Sequence, residues 1–160
     1  ERVGLDGTTF TMFKFRTMHV DAEAMKASLA EANEADASAG NSVMFKMAND
    51  PRVTRIGAFL RKTSIDELPQ LFNVLRGDMS LVGPRPPLPS EVAQYEPRVM
   101  GKFAVRPGIT GLWQISGRSN LSWDETVHLD LSYAQHRSLT LDAWIVLQTI
   151  PALLRHEGAY

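Results

Sequence analysis

The chain has 160 residues, 44% of them hydrophobic and 22% charged, with a formal net charge of −1. That composition fits one domain with a core of its own, too apolar for disorder and without the basic excess of a protein that coats nucleic acid. With no cysteine, a disulfide scaffold, a thiolate metal centre and a cysteine nucleophile are excluded. No apolar run reaches the ~18 residues of a membrane-spanning helix, and no signal peptide opens the chain. It begins at Glu1, directly in Arg2-Val3-Gly4, as expected of a fragment of a longer protein.

Asp6-Gly7 is a turn signal between two β-prone stretches and predicts an N-terminal hairpin, with the β-branched and aromatic run Thr9 to Phe15 as its second strand. Asp21 to about Glu34, rich in Ala, Glu and Met, predicts a helix, and the small polar run Ala35 to Ser42 a loop. Asn49-Asp50-Pro51 reads as a turn that starts a helix with Ile56, Phe59 and Leu60 on its apolar face. After a break at Lys62-Thr63-Ser64, Leu68, Leu71, Phe72 and Leu75 fall at i, i+3, i+4 and i+7, the strongest periodic signal in the chain, and Gly77 is a natural stop. Val82 to Pro89 (VGPRPPLP) is neither regular helix nor central strand. Phe103 to Val105 and Ile109 to Ile115 are short extended candidates around Arg106-Pro107-Gly108. Ser122 with Glu125 fits a capping box for a helix to about His136, and a last, strongly apolar helix runs from about Thr140 to Arg155. These elements predict an α+β fold: a helix-dominated single domain with a short N-terminal β-hairpin and a loop-rich active-site region.

The chemistry points to Ser64-Ile65-Asp66-Glu67-Leu68-Pro69, where two adjacent carboxylates open a helix. Ser64 and Glu67 match a capping box, although Pro69 then falls beyond the first turn; with Asp66 as N-cap it falls inside. Either reading puts the pair at a helix mouth, where phosphate also binds. Basic residues recur beside Gly and Pro: Arg85 in Gly-Pro-Arg-Pro, Arg106 before Pro-Gly, Arg118 after Ser-Gly, with Lys14 and Arg16 at the end of the Thr9 to Phe15 strand. Each is singly an ordinary surface charge; together, arginines held in rigid loops suit a polyphosphate ligand. His19, His128, His136 and Glu157 lack metal-ligand spacing, and no P-loop or dinucleotide glycine motif occurs.

The run from Arg52 to Pro86 (RVTRIGAFLRKTSIDELPQLFNVLRGDMSLVGPRP) resembles the signature of the bacterial sugar transferases, the monotopic polyprenyl-phosphate phosphoglycosyltransferases. Arg2-Val3-Gly4, Phe13 to Met18 (FKFRTM), Lys102 to Ser119 (KFAVRPGITGLWQISGRS), Asp130 to Tyr133 and Leu141-Asp142 extend the likeness over nearly the whole chain. The resemblance implies transfer of a sugar-1-phosphate from a UDP-sugar to undecaprenyl phosphate with release of UMP, the first step of exopolysaccharide, O-antigen or glycan assembly. It implies an Asp-Glu dyad with Mg²⁺, here Asp66 as the nucleophile that becomes an aspartyl phosphosugar, and Glu67 beside it for metal or phosphate. Lys14, Arg16, Arg85 and Arg106 fall to the substrate phosphates or nucleotide, with Pro86 closing a rigid wall. The resemblance further implies a membrane-embedded helix ahead of Arg2, contact with the membrane surface, and a place on the cytoplasmic face of the bacterial inner membrane.

The physics agrees with those roles. A carboxylate meeting a diphosphate is repelled by about 4 kcal/mol per charge pair at ~4 Å and an effective dielectric near 20. Basic side chains and a divalent cation are therefore expected, and Mg²⁺ suits a pair of carboxylates plus phosphate. The last helix is apolar around too much of its circumference for an ordinary surface helix, so it lies in the membrane interface or is buried in the core. A non-catalytic module that binds nucleotide sugars or organises an assembly is the alternative function. Which sugar is moved, and the oligomeric state, are not legible in these residues.

Overall fold

The computed structural model describes residues 1–22, 24–25, 50–117 and 121–155. Most of the helix expected from Asp21 to Glu34, the loop from Ala35 to Ser42, Asn49, Arg118 and Glu157 lie outside them. The expected α+β fold, dominated by helices, is the one observed.

The hairpin forms from β1 (Arg2–Val3) and β2 (Thr9–Phe10), paired antiparallel around a 3₁₀ turn at Leu5–Gly7. Asp6 and Gly7 both take positive φ there, the conformation an Asp-Gly pair tolerates best. The second strand stops at Phe10 instead of running to Phe15, because residues beyond it are bonded elsewhere. Phe13 N donates to the Asn73 side chain at 2.9 Å and Phe15 N to the Asp66 carbonyl at 3.0 Å.

Helix α1 (Arg55–Thr63) is capped by Thr54, whose hydroxyl accepts from Gly57 N at 2.9 Å. Gly57 is required by close approach: a Cβ there would stand 1.9 Å from the Thr17 carbonyl oxygen. Helix α1 ends at Ser64, in the left-handed conformation (φ 55°), and a 3₁₀ turn at Ile65–Glu67 leads to α2 (Gln70–Arg76), which stops at Gly77 as expected. Ser64 thus closes one helix instead of capping the next, and its side chain makes no cap bond. Neither capping arrangement expected for the carboxylate pair is formed: the dyad occupies the 3₁₀ turn between the two helices.

Strand β3 (Ser80–Val82) pairs in parallel with β4 (Gly108–Thr110), Ser80 opposite Gly108 and Val82 opposite Thr110. The crossover carries the short α3 (Pro89–Val92) and a 3₁₀ stretch, Pro97–Ala104, where extended chain was expected in part. The other extended candidate is split: Gly111 ends the strand, and Leu112–Ile115 coils into α4. Helix α5 (Trp123–His136) begins with the expected reciprocal capping of Ser122 and Glu125, followed by α6 (Leu139–Arg155).

Val82, Val105, Tyr133 and Ile145 form the buried centre, with Leu112, Ile115 and Leu141 packed against it. Tyr133 locks strand to helices, donating from its hydroxyl to Asp142 Oδ1 (2.8 Å), with Val82 O at 3.1 Å. The apolar stripes of α1 and α2 do not join this core. Ile56, Phe59, Leu68, Leu71, Phe72 and Leu75 are all exposed, Leu75 to 84%. Helix α2 is inside-out: it buries Gln70 and Asn73 and turns its leucines outward. Asn73, at 0% exposure, spends its amide on Thr11 O (2.7 Å) and Asp78 Oδ2 (3.1 Å) and its oxygen on Phe13 N. Helix α6 does both: Ile145 is buried, whereas Trp144, Leu147 and Ile150 are exposed.

Candidate active site

Local geometry delivers the Asp66 side chain. The left-handed Ser64 reverses the chain after α1, and the 3₁₀ turn, closed by Leu68 N on Ile65 O at 3.1 Å, aims Asp66 inward. Its carboxylate lies on the floor of a cleft of about 480 Å³. The Asn73 and Asp66 bonds to Phe13 N and Phe15 N fix the backbone on both sides of Lys14. Lys14 Nζ then reaches Asp66 Oδ2 at 3.0 Å and Glu67 Oε1 at 3.2 Å. Asp66 is buried, whereas Lys14 and Glu67 are about one-third exposed, 35% and 38% of their side chains, so the trio spans floor and rim.

Three arginines complete the electrostatics. Arg2, Arg61 and Arg85 line the same cleft with Lys14, four cations against the carboxylates of Asp66 and Glu67. Arg61 is fixed by its Nε bond to Thr17 Oγ1 at 2.9 Å. Burial lowers its guanidinium below the ordinary arginine value, an effect that Asp66 and Asp50 oppose. Arg2 is lowered too, first by burial and then by the neighbouring Arg85, with Glu91 opposing. These cations remain charged but are poorly solvated, the condition in which a bound anion gains most. Pro86 lies in the wall, and the Pro84–Pro87 segment is tied down by Gly108 N on Pro84 O (3.0 Å) and Val3 N on Pro87 O (2.9 Å).

Of the basic residues expected to meet the substrate, the structure gathers Lys14 and Arg85 with the dyad and leaves two outside. Arg106 bonds through Nε to Gly77 O at 2.9 Å and lines a separate cavity of about 520 Å³ with Arg137, Tyr133 and Asp142. Arg16 is exposed and is not part of the cleft wall. Residues 11–17 are irregular between β2 and the bridge at Met18, and Lys14 alone of the two turns into the cleft. Sequence reasoning missed Arg2, Arg61 and Asn73. The signal for Asn73 was a polar residue opposite a leucine stripe; for Arg2 and Arg61 no pattern marked them.

Among the described residues no cluster of three or more His, Asp or Glu side chains is arranged to hold a metal ion, and no helix is long and apolar enough to cross a membrane. Among the described residues that line the cleft, Asp66 and Glu67 supply the carboxylate oxygens.

The family model described as bacterial sugar transferase matches residues 1–156. The chain belongs to the bacterial sugar transferase family. It is 49% identical over 99% of its length to the galactosyl transferase CpsE of Streptococcus agalactiae, covering 34% of that protein. It is 46% identical over its full length to the undecaprenyl-phosphate galactose phosphotransferase of Salmonella typhimurium, covering 33% of it. The exopolysaccharide production protein ExoY of Rhizobium meliloti is 45% identical over 99% of the chain, which spans 70% of ExoY. The chain therefore spans about a third of the length of the first two relatives, and as a transferase-family domain it carries the dyad and its cationic cleft.

Proposed function

We propose that this domain transfers a sugar-1-phosphate from a UDP-sugar to undecaprenyl phosphate at the cytoplasmic face of the bacterial inner membrane, releasing UMP and opening the assembly of an exopolysaccharide or related glycan. The observation that carries the reading is a buried aspartate on the floor of a cleft ringed by Arg2, Lys14, Arg61 and Arg85. The names of the relatives, one an undecaprenyl-phosphate galactose phosphotransferase, support the acceptor and the class of reaction.

In this reading an Asp66 carboxylate oxygen attacks the sugar-bearing phosphorus. The new P–O bond replaces the bond to the bridging oxygen, whose electron pair leaves with UMP. An oxygen of undecaprenyl phosphate then attacks the same phosphorus, the aspartyl bond breaks, and the carboxylate is restored. No net proton is exchanged in either step. The task of the protein is electrostatic. Each uncompensated charge pair at ~4 Å costs about 4 kcal/mol, roughly three decades of rate, so the cations make the approach of two anions feasible. Lys14 orients the dyad through its two short contacts, and Arg85 with Pro86 walls the nucleotide side. Mg²⁺ fits Asp66 and Glu67, since it takes oxygen ligands from one or two carboxylates and completes its shell with phosphate and water. When bound it would supply further neutralisation of the diphosphate.

Membrane contact is part of the proposal. The outward leucines of α2, Ile56 and Phe59 of α1, and Leu147 and Ile150 of α6 are large apolar side chains left exposed, and a membrane interface would cover them. Leu71 of α2 and Leu153 of α6 reach the cleft itself, so an isoprenoid tail lying among these side chains could present its phosphate to Asp66.

The test is UMP release and labelled phosphosugar transfer, with UDP-sugar, undecaprenyl phosphate and Mg²⁺ in detergent. Transfer that Asp66→Asn abolishes supports the reading. Full transfer by the Asn variant removes Asp66 as nucleophile, and UDP-sugar binding with no UMP released at any lipid concentration leaves the non-catalytic alternative.

A further inference from the structure

Glu91 is a buried carboxylate, 6% exposed, that the mechanism above does not use. It sits in the first turn of α3 directly behind the cleft wall. Its Oε2 accepts Leu88 N at 2.8 Å, which fixes the carboxylate to the helix start. Both of its oxygens face one guanidinium: Arg85 Nη1 donates to Oε2 at 3.1 Å and Nη2 to Oε1 at 3.4 Å. Such a two-point pair fixes the plane of the guanidinium as well as its position. Arg85 keeps 32% of its side chain exposed while Glu91 keeps 8%, so the arginine turns one side to the carboxylate and another to the cleft. The hairpin brings a second guanidinium to the same place. Val3 N bonds Pro87 O at 2.9 Å, which seats β1 against the loop between Arg85 and α3, and Arg2, one residue earlier, lines the cleft with Arg85.

We infer that Arg2 is a second guanidinium ligand for the donor's diphosphate, and that Glu91 is the positioning residue that lets Arg2 and Arg85 stand side by side before that diphosphate arrives. Two guanidinium groups in a half-buried wall repel each other; one carboxylate behind them offsets the repulsion and leaves the pair with a net positive charge. Burial first, and then the neighbouring Arg85, lower the Arg2 guanidinium below the ordinary arginine value, and Glu91 opposes that shift. A diphosphate then meets a preformed fork of two planar cations on the side of the cleft walled by Pro86, while Lys14 stays on the dyad. Pre-ordering of this kind lowers the entropic cost of binding.

The inference rests on the UDP-sugar reading, and binding of UDP by titration calorimetry separates the two. If the unaltered protein binds no UDP, the donor reading itself fails. If it does, Arg2→Ala is expected to weaken UDP about tenfold, the size of one lost charge-assisted hydrogen bond, and Arg2→Lys to recover part of it. Glu91→Gln is expected to weaken UDP as well, and Arg2→Ala to cost clearly less in the Glu91→Gln background than alone, because the two act through one arrangement. An Arg2→Ala protein that melts normally and binds UDP within twofold of the parent overturns the assignment of Arg2. Fully multiplicative effects of the Arg2 and Glu91 variants overturn the positioning role. Arg2 lies in the two-residue β1, so its variants remain informative even where Glu91→Gln fails to fold.

Discussion

Replacing Asn73 by Ala tests the inversion of α2, which builds the site. Asn73 is fully buried and makes three hydrogen bonds, to Thr11 O, Asp78 Oδ2 and Phe13 N. At about 1 kcal/mol net for each, plus part of the penalty of leaving Phe13 N and Thr11 O unpaired in the interior, the loss comes to roughly 3–5 kcal/mol. For a chain of this size that corresponds to a fall in melting temperature of about 10 °C. Activity is expected to fall further than stability explains, because the same bonds hold the segment that carries Lys14. Urea denaturation gives the first quantity, and phosphosugar transfer, measured well below the variant's melting point, gives the second. A variant destabilised by less than ~1 kcal/mol, with Lys14-dependent activity intact, would refute the claim that Asn73 ties the dyad-bearing turn to the segment opposite it.

Replacing Phe72 and Leu75 together by Glu should change stability by no more than about 1 kcal/mol, since both are exposed, yet reduce flotation with phosphatidylglycerol-containing vesicles at least tenfold. Unchanged flotation would separate the apolar face from membrane contact. Lys102 and Asp130 form a buried ion pair at 2.5 Å, and Lys102→Met should cost about 3–5 kcal/mol, largely restored by adding Asp130→Asn. Burial raises the Asp130 carboxyl above its ordinary value of 3.8, and Lys102 opposes the rise. The folded protein then binds more protons than the unfolded chain from that value upward, so the Lys102→Met variant should lose stability as pH rises through and above the carboxylate range, more steeply than the parent. Denaturation midpoints across pH 4–8 check the sign (about that span is accessible to buffer). Lys14→Met should lower transfer by at least two decades, because one cation at ~4 Å offsets about 4 kcal/mol of repulsion at an effective dielectric near 20.

How far the sequence reached depends on what each signal encodes. Ser122 with Glu125 specifies a helix start by local bonding, and the helix starts there. The Leu68 to Leu75 stripe encodes an amphipathic helix and correctly marked α2, but periodicity does not say which medium the apolar side meets. The side that packs inward carries Gln70 and Asn73, because the extended chain beside it needs polar partners. That same partnership hid the end of β2: β propensity over Thr9 to Phe15 is real, but Phe13 and Phe15 donate to a side chain and a turn instead of a strand. The dyad was legible as two carboxylates after a helix break, while its 3₁₀ geometry depends on the positive φ of Ser64, a tertiary demand on a residue with no special preference for it. Arg85 and Arg106 look alike in sequence, both beside proline, and only the parallel pairing of β3 with β4 sends one to the dyad's cleft and the other to a different cavity.

The central claim is that Asp66 becomes covalently bonded to phosphorus. Mixing the protein with UDP-sugar and Mg²⁺ but no lipid acceptor, followed by rapid acid quench and peptide mass spectrometry, addresses it directly. The account predicts a phosphosugar adduct on the peptide containing Asp66, formed together with a stoichiometric burst of UMP and discharged when undecaprenyl phosphate is added. An adduct on any other residue, or UMP that appears only when acceptor is present with no adduct at all, would contradict it.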